Sequence, residues 1–427
     1  MLRNYFKVTI RNLIRNKLFA VISTIGLSIG IACCLLIFMY VQREFSFDSF
    51  HDNKEIYRII HYEDGSPELA GGTSSCSNLL RDELVKYFPE VKLASRVSGS
   101  NEAVLFEDKS FNQLMVMVDP DFFNMFSFNL IQGTRTAVLN DINSIVISKE
   151  MSEKYFINDE PIGKRLTIPL GGAPHEFIVS GVIENAPRNS SIQYDFLISS
   201  ENMKFSTPEK YLQTWNIILF STFVQLNPNT NLSELEQKIT AHVNKIADFD
   251  IESGKGVRYS FQPITNIHLN PALEGEMVPN GDPFYSYLLL IIAFSVLLIA
   301  CINFAILTIG KSYSRSKEVG LRKVLGANKG HIRRQFFGEA FILSLISLLF
   351  GVLITELMLP TFNKLSEMEL ELNLFDNFLM IISIAVLILF TTFLAGFYPA
   401  MVLSKFVPIK SIRRGYKPGG KKRQTYG

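Results

Sequence analysis

Tyr285–Ile309 reads YSYLLLIIAFSVLLIACINFAILTI, and five residues later Ser314–Ala327 reads SRSKEVGLRKVLGA. The first stretch carries no charge and exceeds the roughly 20 helical residues needed to cross a bilayer core. The second is short, basic and of helical character. Three more apolar runs have spanning length, at Leu18–Tyr40, Phe336–Leu359 and Phe378–Phe397. A chain with 48% hydrophobic and 19% charged residues and a mean hydropathy of +0.19 is therefore a membrane protein with its apolar residues concentrated in four spans. The first run is too long for the core of a signal peptide, and no small-residue cleavage site follows it.

Charge placement orients the spans. Met1–Lys17 holds Arg3, Lys7, Arg11, Arg15 and Lys17 and no acid. Lys311–Arg334 holds eight Lys or Arg against Glu318 alone, and the tail after Leu403 holds eight more with no acid. Between the last two spans the sign reverses, with Glu367, Glu369, Glu371 and Asp376 against Lys364. Lys and Arg favour the cytoplasmic side. The expected topology puts both termini and the 311–334 loop inside, and residues 45–283 with the short 360–377 loop outside. Cys33, Cys34 and Cys301 fall in spans, which leaves Cys76 alone outside and no disulfide within that domain. A domain of this size needs no such staple, and the pattern suits a bacterial periplasm.

Residues 45–283 read as mixed α and β. Strands are expected at Ile56–Ile60, Ser144–Ser148, Phe177–Val182, Leu219–Leu226 and Tyr259–Leu269. Ser77–Phe88 and Leu232–Ile246 have helical spacing, and Pro89 ends the first. The turn-rich stretch at about 119–197 reads as an inserted subdomain. Asp119 and Asp121, flanking Pro120, read as a solvated turn. Phe122, Phe123, Phe126 and Phe128 read as buried, and Trp215 as core. His51, His61, His175, His242 and His268 lack metal-ligand spacing. The expected fold class is an α-helical membrane protein of four transmembrane helices carrying a large α/β (α+β) periplasmic domain of two subdomains.

Met1–Lys17 puts its cations on one helical stripe and Leu2, Phe6, Ile10, Leu13 and Ile14 on another, the pattern of a helix lying on an anionic lipid surface. Gly26 and Gly30 make a G-x-x-x-G in span one, which would admit a close neighbouring helix. Glu339 and Glu356 in span three sit near interfaces, with contact between helices as the rival reading. In Ser314–Gly326, Ser314 or Ser316 could cap a helix N-terminus and Gly326 could end it, with Asn328 starting the next. Glu318 is three residues after Arg315 and four before Arg322, both attractive spacings. Leu321, Val324 and Leu325 offer an apolar patch. Such a segment is a handle by which a soluble partner on the inner side could move the adjoining spans.

Arg315-Ser316-Lys317-Glu318-Val319-Gly320-Leu321-Arg322-Lys323-Val324-Leu325-Gly326-Ala327 resembles the signature of FtsX-like ABC-transporter permeases, with Val319 in place of the more usual Ile. Asn12–Lys17 with the Gly26/Gly30 span, and Gly396-Phe397-Tyr398-Pro399-Ala400 with Pro408 and Ile409, resemble that family's two ends. Ala137–Val182 is similar to a MacB-type periplasmic core domain, placing the chain near the MacB, LolC and FtsX superfamily. The resemblance implies a non-catalytic permease in the inner membrane, working by mechanotransmission. It implies a cytoplasmic ATPase partner that binds ATP and Mg, so no cofactor is expected in this chain. A second permease copy, membrane lipid and a periplasmic adaptor or lipoprotein are the other expected partners, with no nucleic acid. Arg315, Lys317, Glu318, Val319, Gly320, Leu321, Arg322, Leu325 and Gly326 would contact the ATPase, and Gly26 and Gly30 would pack helices. Some relatives carry a second copy of the unit, so this chain could be a whole or a half.

Two weaker signals fail. Gly415-x-x-x-x-Gly420-Lys421-Lys422 has Lys where a phosphate-binding loop needs Ser or Thr, and Ser314–Lys317 matches S-x-x-K without the accompanying lactamase motifs. The alternatives are a transmembrane sensor or scaffold that signals without transport, which leaves four spans unexplained, and a membrane-tethered enzyme, for which no nucleophile or metal cluster is present.

Overall fold

The computed structural model describes residues 17–64, 71–106, 109–157, 159–249, 256–273, 277–324, 329–366, 368–372 and 378–404, with backbone alone at 109, 311–324, 329, 331–332, 398–399 and 402–404. The expected interfacial helix at Met1–Lys17, save its last residue, and the basic tail beyond Ser404 lie outside these residues. In chain order the main elements are α1 (Lys17–Glu44), β1 (Ile56–Glu63), β2 (Ser75–Ser77), α2 (Leu80–Tyr87), β3 (Val91–Phe106), β4 (Lys109–Val118), β5 (Leu130–Gln132), β6 (Ser144–Ser148), α3 (Lys149–Tyr155), β7 (Arg165–Leu170), β8 (Ala173–Ile183), β9 (Phe196–Ser199), β10 (Ile218–Leu226), α4 (Leu232–Ile246), β11 (Val257–Pro263), α5 (Pro283–Val324), α6 (Lys329–Ser366) and α7 (Phe378–Ser404). The chain divides into two compact units, one of residues 1–42 with 284–427 and the other of residues 43–283.

Among the described residues, four helical stretches are long and apolar enough to cross a membrane: Lys17–Glu44, Pro283–Gly310, Arg333–Ser366 and Phe378–Phe397. Two expectations change here. The helix expected to start at Ser314 is not separate from span two, because α5 runs through Val324 without a break, and α6 begins at Lys329. Ser314 and Ser316 therefore lie inside a helix and not at its N-terminus. The loop expected from residue 360 starts later, since α6 continues to Ser366 with Pro360 inside it.

Residues 43–283 build on one 11-stranded sheet in the order β11-β1-β10-β3-β4-β9-β6-β8-β5, with β2 on β10 and β7 bridging β3 and β8. Most pairs are antiparallel; β4 with β9 and β6 with β8 are parallel. The stretch 119–197 supplies β5 to β8 and leads into β9, and it joins the rest through β9 on β4 and β7 on β3. Distinct cores lie at the two ends of the sheet. One unites Ile59, Leu80, Leu84, Val224, Leu235, Ile239 and Val243. The other unites Ile145, Ile147, Met151, Phe177, Phe196 and Ile198. A third, aromatic cluster holds Phe122, Phe123, Phe126 and Phe128, all at most 2% exposed. Trp215 is only partly buried, against the first core. The strand expected to reach Leu269 ends at Pro263, where a 3-10 turn over Ile264–Asn266 takes over.

The free edge of β11 is sealed by a helix. The N–H groups of Val257, Tyr259 and Phe261 donate to Asn244 Oδ1 (2.9 Å), Thr240 Oγ1 (3.2 Å) and Glu236 Oε1 (2.8 Å). Those acceptors recur every four residues along α4, a rise of about 6.0 Å. Alternate strand residues recur every ~6.6 Å. The two spacings match closely enough for one helix face to serve as the missing strand.

Candidate functional site

The candidate coupling residues Arg315, Lys317, Glu318, Val319, Gly320, Leu321 and Arg322 all fall within α5. At about 1.5 Å per residue, the 42 residues of α5 extend some 63 Å, and 311–324 account for roughly the last 21 Å. Positions 315, 318 and 322 share one face of this backbone helix, and 317, 321 and 324 another. Leu325 and Gly326 lie outside the described residues, as does Asn328, so the end of this segment is not described. No hinge separates the span from the signature within 283–324.

The membrane helices touch at small residues. A Cβ on Gly30 would lie 3.3 Å from Ala300 Cβ and from Leu297 Cδ1, so α1 and α5 approach closely there. Gly26 has open space where its Cβ would stand, with nothing within 4 Å among the described residues. The pair expected to act together is thus split, because the close neighbour lies one turn further along the helix. The tightest approach was not read from the sequence at all. A Cβ on Gly351 of α6 would fall 2.7 Å from Ile31 Cγ2 and 3.2 Å from the Ser28 carbonyl. Ser344, Ser347, Gly351 and Thr355 share that helix at helical spacing, and the three polar ones are fully buried. That small-residue stripe was the available signal. Glu339 is 9% exposed and accepts from Gln335 Nε2 at 3.3 Å, while Glu356 is exposed.

In the external unit, Asp119 is not in a solvated turn. Its carboxylate accepts from Arg96 N (2.7 Å), Nε (3.0 Å) and Nη2 (2.7 Å) and from Ser200 Oγ (2.6 Å). Arg96 also donates Nη1 to Asn78 Oδ1 at 2.7 Å, and Asp121 pairs with Arg81 Nη2 at 2.8 Å. Burial works to raise the Asp119 pKa, but the bonds and charge of Arg96 outweigh it and hold the carboxyl below its usual value. The network ties β3, the end of β4 and the turn after β9 together. His51 and His61 are buried and neutral, with burial pushing each down to about 4. Among the described residues no group of three His, Cys, Asp or Glu side chains is placed to hold a metal. All four cysteines are free.

Residues 20–242 match the MacB-like periplasmic core domain, and residues 290–408 match the FtsX-like permease C-terminal. The chain is 24% identical over 431 residues to the uncharacterized ABC transporter permease YvrN of Bacillus subtilis (strain 168), covering 96% of this chain and 99% of that protein. It is 24% identical over 326 residues to the macrolide export ATP-binding/permease protein MacB 2 of Yersinia pestis bv. Antiqua (strain Antiqua), covering 72% of this chain and 42% of that protein. The crystallised periplasmic region of MacB from Actinobacillus actinomycetemcomitans is similar at 16% identity and a TM-score of 0.36, over 50% of this chain and 91% of that one. The match to MacB 2 thus spans less than half of that protein. With one described domain match on either side of the junction at residue 283, the chain belongs to the FtsX-like ABC transporter permeases that carry a MacB-like periplasmic core domain.

Proposed function

We propose that this chain transmits the ATP-driven motion of a separate cytoplasmic ATPase to its periplasmic domain, for export or extraction of a substrate on the periplasmic side. The observation that carries this reading is the unbroken helix Pro283–Val324, which joins the start of span two to the signature segment. A push on a helix is passed along its axis, whereas a flexible loop of the same length would absorb it. The charge map supports a cytoplasmic position for that segment and for both termini. Arg315, Lys317, Glu318, Val319, Gly320, Leu321, Arg322, Leu325 and Gly326 form the contact with the ATPase, which holds ATP and Mg. A second permease copy completes the assembly.

The test is co-purification from membranes. The intact chain is expected to bring an ATPase with it, and Glu318→Lys or Gly320→Trp to reduce the bound ATPase at least about tenfold, since either change places a reversed charge or a bulky ring in the proposed contact. Glu318→Lys also removes both attractive spacings within the helix. An intact chain that binds no ATPase in its own membrane refutes the proposal, and favours a sensor that binds ligand through residues 45–283 alone.

A further inference from the structure

The outer end of span one is a buried acid. Glu44, the last residue of α1, is 2% exposed, and its Oε1 lies 3.1 Å from Nε2 of His268, itself 6% exposed. Phe47 stacks on that imidazole with centroids 3.5 Å apart and planes 6° from parallel. The backbone N–H of Gly281 donates to the His268 carbonyl at 2.7 Å. Gly281 comes so close that a Cβ on it would fall 2.2 Å from Glu44 Oε2 and 2.7 Å from His268 Nε2. Two residues later, Pro283 starts α5. The end of one span's helix therefore meets, at one point, the loop after β11 and the segment leading into the next span.

The segment after Glu44 is anchored into the domain as well. Asn189 Nδ2 donates to the Ser46 carbonyl (2.8 Å), Asp48 N to the Asn189 carbonyl (2.8 Å), and Ser191 N to Asp48 Oδ1 (2.9 Å). Asp48 holds a φ of 55°, a backbone state that residues with side chains adopt rarely. A buried acid–imidazole pair contributes little net stability compared with apolar packing of the same volume. What it does provide is direction: a fixed partner at a fixed distance.

We infer that Glu44, His268 and Gly281 form a yoke that locks the outer end of span one to the segment leading into span two, so that displacement of either helix reaches the sheet through one rigid junction. They are positioning residues, and the inference deepens and rests on the transmission reading. It makes the junction, rather than the sheet, the place where coupling can be lost without loss of fold or of the ATPase.

The test uses the full chain with its co-purified ATPase in lipid nanodiscs. Spin labels on unnatural amino acids at Ile299, which is 64% exposed, and at the exposed Lys92 leave the native cysteines untouched. In the native chain the distance distribution is expected to be narrow and to shift on trapping with ATP and vanadate. Glu44→Ala, His268→Ala and Gly281→Ala are expected to widen it at least about twofold and abolish the shift, with ATPase binding and basal hydrolysis retained. Glu44→Gln, which keeps an acceptor for His268, is expected to restore much of the shift. His242→Gln removes a second His–Glu contact (2.8 Å to Glu83 Oε2) and is expected to leave both readouts unchanged. Unchanged width and shift in the three variants overturn the yoke. Absence of the ATPase or of any shift in the native chain, with widening still present in the variants, removes the motor and leaves the yoke standing.

Discussion

Replacing Asp119 by Ala tests the strongest polar network in the periplasmic domain. The side chain is 4% exposed and Arg96 is 12% exposed, so the substitution leaves a largely desolvated guanidinium facing a void. Four bonds to Asp119 are lost, three from Arg96 and one from Ser200. Arg96 keeps only Asn78 and the face of Phe220, 5.6 Å from its ring centroid. Breaking a buried pair by removing one partner costs about 3–5 kcal/mol. For a domain of this size each kcal/mol lowers Tm by about 2–4 °C, which gives a fall of roughly 6–20 °C. Asp119→Asn keeps the shape and some acceptors and should fall at the low end of that range. The double change Arg96→Met with Asp119→Leu removes both charges and should cost less than Asp119→Ala alone, because no unpaired charge remains. Urea unfolding of the 45–283 fragment, followed by circular dichroism, measures all three together with the single changes Arg96→Met and Asp119→Leu that complete the cycle. A cost below about 1 kcal/mol for Asp119→Ala, or additive single changes in the cycle, would refute the reasoning and return Asp119 to the status of a surface pair.

Asn244→Ala removes both bonds to Val257, one accepted and one donated, and should destabilise the domain by about 1–3 kcal/mol. It also opens the β11 edge, so light scattering of the fragment should show self-association that the native domain lacks. In the membrane unit, Gly351→Val should lower the thermal midpoint in detergent by an amount corresponding to about 1–3 kcal/mol of overpacking, whereas Gly26→Ala should leave it unchanged. Acid should act in two stages. His51 and His61 have folded pKa values near 4, below the unfolded value of about 6.5. Their contribution is present above that unfolded value and is lost as pH falls from about 6.5 to 4, at a slope His61→Gln should reduce. The Asp119 carboxyl, held low by Arg96 against its burial, keeps its contribution until pH falls below about 4. Unfolding midpoints at three pH values across this range measure both stages.

The four spans were legible because lipid demands a long apolar run, and that demand leaves its mark residue by residue. Their outlines changed only where composition gives no signal. Lys311–Val324 is largely polar, so it reads as a separate short helix in a connecting loop, yet a helix already nucleated over the 28-residue span Pro283–Gly310 extends into it at small cost. Asp119 reads as a solvated turn for a related reason. An Asp-Pro-Asp run has turn chemistry, and what buries it is Arg96, 23 residues away on a neighbouring strand. Sealing of the β11 edge depends on Glu236, Thr240 and Asn244, whose spacing suggests only a polar face of an amphipathic helix. Gly281 shows the limit most sharply. Nothing in Asn280-Gly281-Asp282 suggests more than a turn, because the atoms that forbid a side chain there belong to residues 44 and 268.

Close contacts among the spans suggest how motion of α5 would divide. Lipid tails supply no hydrophobic drive between helices, so contact depends on shape, and helices meeting at backbone level cannot shift separately without opening voids. α5 meets α1 at Gly30, through Leu297 and Ala300, and Cys34 Sγ lies 3.4 Å from the Ala293 carbonyl of α5 as a second tie. α6 grips α1 through Gly351, and α7 reaches α6 through Gly396, whose Cβ would lie 3.0 Å from Phe337 Cδ1. Under the proposed transmission, displacement of α5 would have two routes outward, one straight to Pro283 and one across Gly30 into α1 and on to Glu44. Both end at the same three residues. Gly30→Leu, which pries α1 from α5, should therefore weaken the nucleotide-driven shift while leaving part of it. Gly281→Ala should remove the shift, and adding Gly30→Leu to it should change nothing further. If instead the two substitutions add, the routes do not converge and the junction is one contact among several.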